Sequence, residues 1–184
     1  YWLAKESRSK LNNDLYPAKM YDYVKDLHSS GIKWEQARDS IYYRYQVNQK
    51  DDYNITSKNL YCNGCFAAGI NFASSLVSLF YGEGDLKETI KIGTLAGWDS
   101  DNPTSTWGGL IGFIIGREMI EKEFNMKLSS KFNIHRTRKN FPNEGIDTFE
   151  NMAKNGIRIV EKVILEELKG EVNDEIKLWL IPKK

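Results

Sequence analysis

Residues 97–104 read Gly97-Trp98-Asp99-Ser100-Asp101-Asn102-Pro103-Thr104, a turn-forming stretch that sets two carboxylates two residues apart just before a long apolar run. Carboxylate oxygens are the ligands that hard cations such as Mg2+ prefer, and a turn lets side chains at i and i+2 converge where a helix would splay them. The stretch therefore reads as half of a metal site. The same residues also suit a helix start, in which Asp101 or Asn102 caps the helix and Pro103 takes its first position. At the level of the loop both readings stand.

Other groups with chemical potential are weaker. Cys62 and Cys65 have Cys-x-x-Cys spacing. Thioredoxin-like chemistry expects a preceding strand in a βαβ unit, and structural zinc needs four ligands where only His28 and His135 remain as distant candidates. The pair reads as reduced thiols near the start of a buried helix. Asn54-Ile55-Thr56 is a glycosylation sequon, meaningful only in a secreted protein.

The elements that must carry the acidic loop are helical almost throughout. Residues 17–29 place Met20, Val24 and Leu27 on one face with Gly31 as a stop, and residues 34–45 repeat the pattern with Trp34, Ala37, Ile41 and Tyr45. Residues 59–82 carry no charge, but Asn63, Asn71, Ser74, Ser75 and Ser78 interrupt them, and a spanning helix needs about 20 predominantly apolar residues. A buried central helix over 66–80 fits, with Phe66, Ile70, Ala73, Leu76, Val77 and Phe80 apolar around much of its circumference. Asp85 with Glu88 starts a helix to about residue 95, and Asp147 with Glu150 starts another to about 168. The latter aligns Phe149, Met152, Ala153, Ile157, Val160, Ile164 and Leu168 in one stripe. Residues 127–145 lack a sustained period and read as irregular, while Leu178, Trp179 and Leu180 are expected to dock on something apolar.

The helix after the acidic loop carries Gly108, Gly112 and Gly116 four apart, a face on which a neighbouring backbone can come close. Each costs on the order of 1 kcal/mol against Ala in a helix interior. Packing from Trp107, Leu110, Ile111, Ile114, Ile115 and Met119 against the Asn71-bearing helix is the expected compensation. A loop on such a helix is held rigidly.

Composition bounds the partners. The 184 residues suffice for one ordinary domain, and 26 Lys plus Arg against 25 Asp plus Glu leave a net charge of +1, no electrostatic footprint for nucleic acid.

Over residues 34–116 the chain resembles the ADP-ribosylglycohydrolase family. The blocks Trp34-Glu35-Gln36-Ala37-Arg38-Asp39-Ser40-Ile41-Tyr42-Tyr43-Arg44-Tyr45, Phe80-Tyr81-Gly82-Glu83-Gly84-Asp85, Ala96-Gly97-Trp98-Asp99-Ser100-Asp101 and Gly108-Gly109-Leu110-Ile111-Gly112 occur in the family's order. An Asp-x-Asp metal loop followed at once by a small-residue helix is the specific part. Weaker similarity covers residues 134–138 and 147–153. The resemblance implies an all-α helical bundle similar to the C-terminal part of that fold, with residues 1–184 forming a single, partial domain. It also implies a centre of two Mg2+ ions, whose other ligands come from an upstream Thr-Asp-Asp cluster. Asp51-Asp52 is the only adjacent Asp pair, but it follows Lys50 and lies too near Asp99 in sequence to serve.

Residue by residue, the resemblance makes Asp99 and Asp101 metal ligands and catalytic residues. Asn102 is the expected third ligand, where many relatives have Thr. Trp98 stands where relatives often have Gly and is a candidate to stack on a base, or else to pack on the core. His135, Arg136 and Arg138 are candidates for a pyrophosphate, Arg136 first, or else a solvated basic turn. Asn71 is either a core amide or a polar group near the metal. The implied activity is hydrolysis of the glycosidic bond between ADP-ribose and a protein side chain or related group, this chain supplying one ligand pair and showing little turnover alone. The other reading is a non-catalytic helical module that binds ADP-ribose or a protein partner.

Overall fold

The computed structural model describes residues 2–54, 67–134 and 139–183. Its backbone is mostly helical with a few short strands, and it gathers into two compact units, Tyr1–Phe124 and Asn125–Lys184, beside the single domain expected from sequence.

The first unit is built around α4 (Ala68–Gly82), which α2 (Tyr16–Ser29), α3 (Trp34–Ile41), α5 (Leu86–Ala96) and α6 (Asp101–Ile115) all touch. Helix α4 is apolar on most sides and so must be surrounded, and Ile70, Ala73, Leu76, Val77 and Phe80 are buried as expected. Its two end glycines let neighbours close in. A Cβ on Gly69 would collide with the Tyr53 ring, and one on Gly82 would lie 2.7 Å from the Thr89 Cα of α5. Ser78 Oγ donates to the Thr89 carbonyl at 2.7 Å and ties α4 to α5 inside the core.

The connections follow local chemistry. Helix α4 ends on Glu83 and Gly84, both at positive φ, and Asp85 then accepts a hydrogen bond from the Glu88 N–H at 2.7 Å to start α5. This is the capping interaction the sequence predicts. Helix α3 does not continue regularly to residue 45; at Tyr42 it widens into a π-helical turn, Tyr42–Val47, which delivers Tyr45 fully buried against Tyr23 and Tyr53. Helices α1 (Trp2–Ser9) and α7 (Arg117–Glu123) complete the unit.

Helix α6 departs from expectation. Ile111 is buried, whereas Leu110, Ile114 and Met119 are exposed and Phe113 is 88% exposed. Leu110, Ile111 and Ile114 border an apolar cavity of about 360 Å3 shared with Leu3, Phe72 and Leu76. Of the three glycines expected to admit a helix backbone, Gly108 faces the Ile90 side chain and Gly112 the Ile120 side chain. Gly116 lies beyond the helix at φ 81°.

The second unit pairs β1 (Lys131–Asn133) antiparallel with β2 (Ile146–Thr148), the two joined through a short 3-10 turn at Pro142–Gly145; residues 127–145 are therefore not wholly irregular. Helix α8 (Phe149–Glu166) follows. Thr148, not Asp147, caps it, its Oγ1 accepting from the Asn151 N–H at 3.1 Å, while the Asp147 carboxylate accepts from the Asn151 side-chain amide at 3.0 and 3.2 Å. The predicted stripe lies on α8 from Phe149 to Ile164, with Leu168 beyond the helix end at Glu166, and only Ile164 in it is buried. A second hairpin pairs β3 (Glu171–Asn173) with β4 (Leu178–Leu180), and Leu178, Trp179 and Leu180 remain exposed instead of docking. Among the described residues no helix is long and apolar enough to cross a membrane.

Candidate metal centre

The acidic loop leaves α5 through two consecutive residues at positive φ, Gly97 at 96° and Trp98 at 56°. Glycine accepts this backbone freely; a tryptophan there is held against its preference, at a cost of order 1 kcal/mol. What holds it is packing on one side and a hydrogen bond on the other. The Trp98 ring is half-buried against the core cluster, 6.4 Å from the Tyr42 ring. The next backbone N–H, that of Asp99, donates to Asn71 Oδ1 of α4 at 2.8 Å.

Helix α6 then begins at Asp101, two residues ahead of Pro103, which is buried as its third residue. Ser100 occupies the cap position without a side-chain hydrogen bond. The helix-start reading, with Asp101 or Asn102 capping and Pro103 first, is thus not the arrangement seen. Among the described residues no backbone N–H donates to either carboxylate. Asp99 Oδ2 accepts from Asn102 Nδ2 at 2.5 Å, and Asp101 follows two residues on in the first turn of α6. Asn102, expected as a third ligand, is a partner of Asp99 through its amide nitrogen. Thr104 Oγ1 donates to the carbonyls of Ser100 at 2.9 Å and Asp101 at 3.0 Å, securing the first turn.

The electrostatics follow from this proximity. The Asp101 carboxyl, by hydrogen bonding and then, after partial desolvation, by its charge, holds the Asp99 carboxyl above the usual carboxylate range, and the Asn102 amide opposes it. No Lys, Arg or His among the described residues pairs with either group. Two neighbouring carboxylates without a counter-cation can share a proton or bind a divalent cation, and either relieves their repulsion. As a donor set they fit a hard cation such as Mg2+. Among the described residues no group of three His, Cys, Asp or Glu converges that could hold a metal ion.

Beneath the loop, α5 and α6 approach closely at Gly93, where a Cβ would lie 3.1 Å from Thr104 Cγ2 and 3.6 Å from Pro103 Cβ. Trp107 Nε1 donates to the Ser75 carbonyl at 2.8 Å and pins α6 to α4. Sequence reading found the glycines of α6 and missed Gly93, whose role is visible only once α5 lies against α6.

The remaining candidates fall elsewhere. Asp51 accepts two hydrogen bonds from Arg44, at 3.0 and 3.1 Å, and the 95% exposed Asp52 faces Lys19 at 3.7 Å. Asp51 is committed to a structural ion pair. Arg136, with His135 and Arg138, lies outside the described residues, as do Cys62, Cys65 and the last two residues of the sequon. Comparison with known protein families, with curated proteins and with solved structures finds no match.

Proposed function

We propose that the chain carries the Asp-x-Asp side of a Mg2+ centre in a hydrolase like the ADP-ribosylglycohydrolases, acting on the glycosidic bond of ADP-ribosylated side chains or related ADP-ribose conjugates. The observation that supports this reading is the loop geometry: neither Asp99 nor Asp101 caps the helix that follows, and the Asp99 carboxylate is engaged by the Asn102 side chain instead of the main chain. Asp99 and Asp101 would hold the cation, Asn102 would steady Asp99 and offer an amide oxygen, and Trp98 would wall the site from the core side. Mg2+, when bound, supplies orientation of the ribose hydroxyls and of water, and stabilises charge as the bond breaks. A second ion needs ligands beyond this pair, so the chain alone is expected to bind Mg2+ weakly and turn over little.

Calorimetric titration of Mg2+ into the wild type, Asp99→Ala, Asp101→Ala and the double variant tests the assignment. Weak binding that disappears in the double variant is expected; equal binding by wild type and double variant overturns it. Release of ADP-ribose from a modified peptide by this chain would show the site to be complete as it stands. ADP-ribose binding that ignores both Mg2+ and the two Asp substitutions would favour the non-catalytic binding module instead.

A further inference from the structure

We infer that Asn71 is a positioning residue for the acidic loop: from the central helix it fixes the direction in which Asp99 leaves the turn, and so sets the cation affinity of a pair of carboxylates it does not itself join. The inference rests on the metal reading above and extends it to a residue 28 positions earlier in the chain.

The amide of Asn71 is used in two directions. Its Nδ2 donates to the Ala67 carbonyl at 3.0 Å, beside the helical bond that the Asn71 N–H makes to the same oxygen at 3.2 Å. Its Oδ1 accepts from the Asp99 N–H at 2.8 Å. Turning the amide over would set two acceptors together at Ala67 and two donors together at Asp99, so both contacts choose the same orientation. Aspartate lacks the donor, and serine is too short to bridge. Only a side chain with a donor and an acceptor at this length joins the start of α4 to the loop.

The site of attachment gives the bond its effect. Asp99 is the first residue after two left-handed ones, Gly97 and Trp98, and Trp98 occupies that region against its preference. The Asn71 bond holds the far end of this reversal. Without it the backbone can relax at Trp98 and swing Asp99 relative to Asp101, which is anchored in the first turn of α6. Two carboxylates that repel each other take such freedom as separation, and a cation then has to draw them back together. Outer partners that aim metal ligands typically govern about 10- to 100-fold in affinity.

The test separates the two amide contacts. Asn71→Ser fills the inner one, since its hydroxyl can bond back to the carbonyl four residues earlier, and leaves the Asp99 N–H without its acceptor. Asn71→Ala removes both, and Asn71→Asp restores an acceptor for Asp99. Two quantities are read on the whole chain, folding being checked by circular dichroism: hydrogen exchange of the Asp99 amide, and Mn2+ affinity by electron paramagnetic resonance, Mn2+ standing in for Mg2+. In Asn71→Ser and Asn71→Ala the amide is expected to exchange about tenfold faster, as for a lost hydrogen bond, and Mn2+ affinity to fall about tenfold. Asn71→Asp should slow the amide again.

Unchanged exchange in the folded Asn71→Ser variant overturns the positioning role. So does unchanged Mn2+ affinity in that variant while Asp99→Ala abolishes binding. If the wild type binds no Mn2+, or binds it as well as the double Asp variant does, the metal reading fails by itself. The exchange result then decides whether Asn71 holds the loop. Should Asn71→Ala fail to fold, Asn71→Ser carries the comparison.

Discussion

At the scale of single residues, the loop places like charges together where folding alone would keep them apart. Asp99 has its proton affinity raised, chiefly by the hydrogen-bonded Asp101 carboxyl. A carboxyl whose folded pKa lies above its unfolded value binds the proton more tightly in the native state, so its contribution to stability is fully present below the unfolded pKa. That contribution is lost as pH rises through the folded one. In metal-free protein, Asp101→Asn should therefore bring the Asp99 pKa back toward the ordinary carboxylate range. It should also flatten this part of the stability profile; carboxyl-detected NMR titration and thermal melts against pH measure both. An unchanged Asp99 titration would mean that Asp101 is not its partner.

At the scale of elements, the molecule distinguishes glycines that meet a neighbour from glycines that meet none. Gly82→Ala sets a Cβ against the backbone of Thr89, so α4 and α5 must part, at a cost of about 1–3 kcal/mol for overpacking. Gly109 has nothing within 4 Å of the added atom, and Gly109→Ala in the interior of α6 should gain about 1 kcal/mol from helix propensity. Opposite signs in chemical denaturation are the expected result, although sequence offers no means of telling these two helical glycines apart. Capping is the reverse case, fully legible: Asp85→Ala should cost about 1 kcal/mol through loss of the bond to the Glu88 N–H, measured in the same way.

At the scale of the whole molecule, burial is concentrated on one helix. Nine residues of α4 are buried, compared with a single one in α8, so the slowest-exchanging amides are expected in α4, with those of α8 exchanging much faster. Slower exchange in α8 than in α4 would show that the centre of stability lies elsewhere. Cation binding adds a global readout. A ligand bound only by the native state at tenfold above its Kd stabilises by about 1.4 kcal/mol, so saturating Mg2+ should raise the melting temperature of the wild type and leave that of the Asp99→Ala, Asp101→Ala double variant where it was.

Much of this was readable from residue order alone, because it depends on interactions a few positions long. The apolar circumference of the central helix, expected over residues 66–80, the start of α5 at Asp85 and the spacing of Asp99 and Asp101 across one intervening residue are of that kind. Where strand pairing or close approach between segments governs, local pattern was silent or misleading. The β1–β2 pairing runs through Thr148, so α8 starts one residue later than Asp147 would have it, and Gly93 matters because α6 lies on it. The direction of Asp99 depends on an amide 28 residues earlier. Composition and spacing can nominate two carboxylates for a cation. Aiming them takes a hydrogen bond between distant parts of the chain, which exists only after the helices have packed.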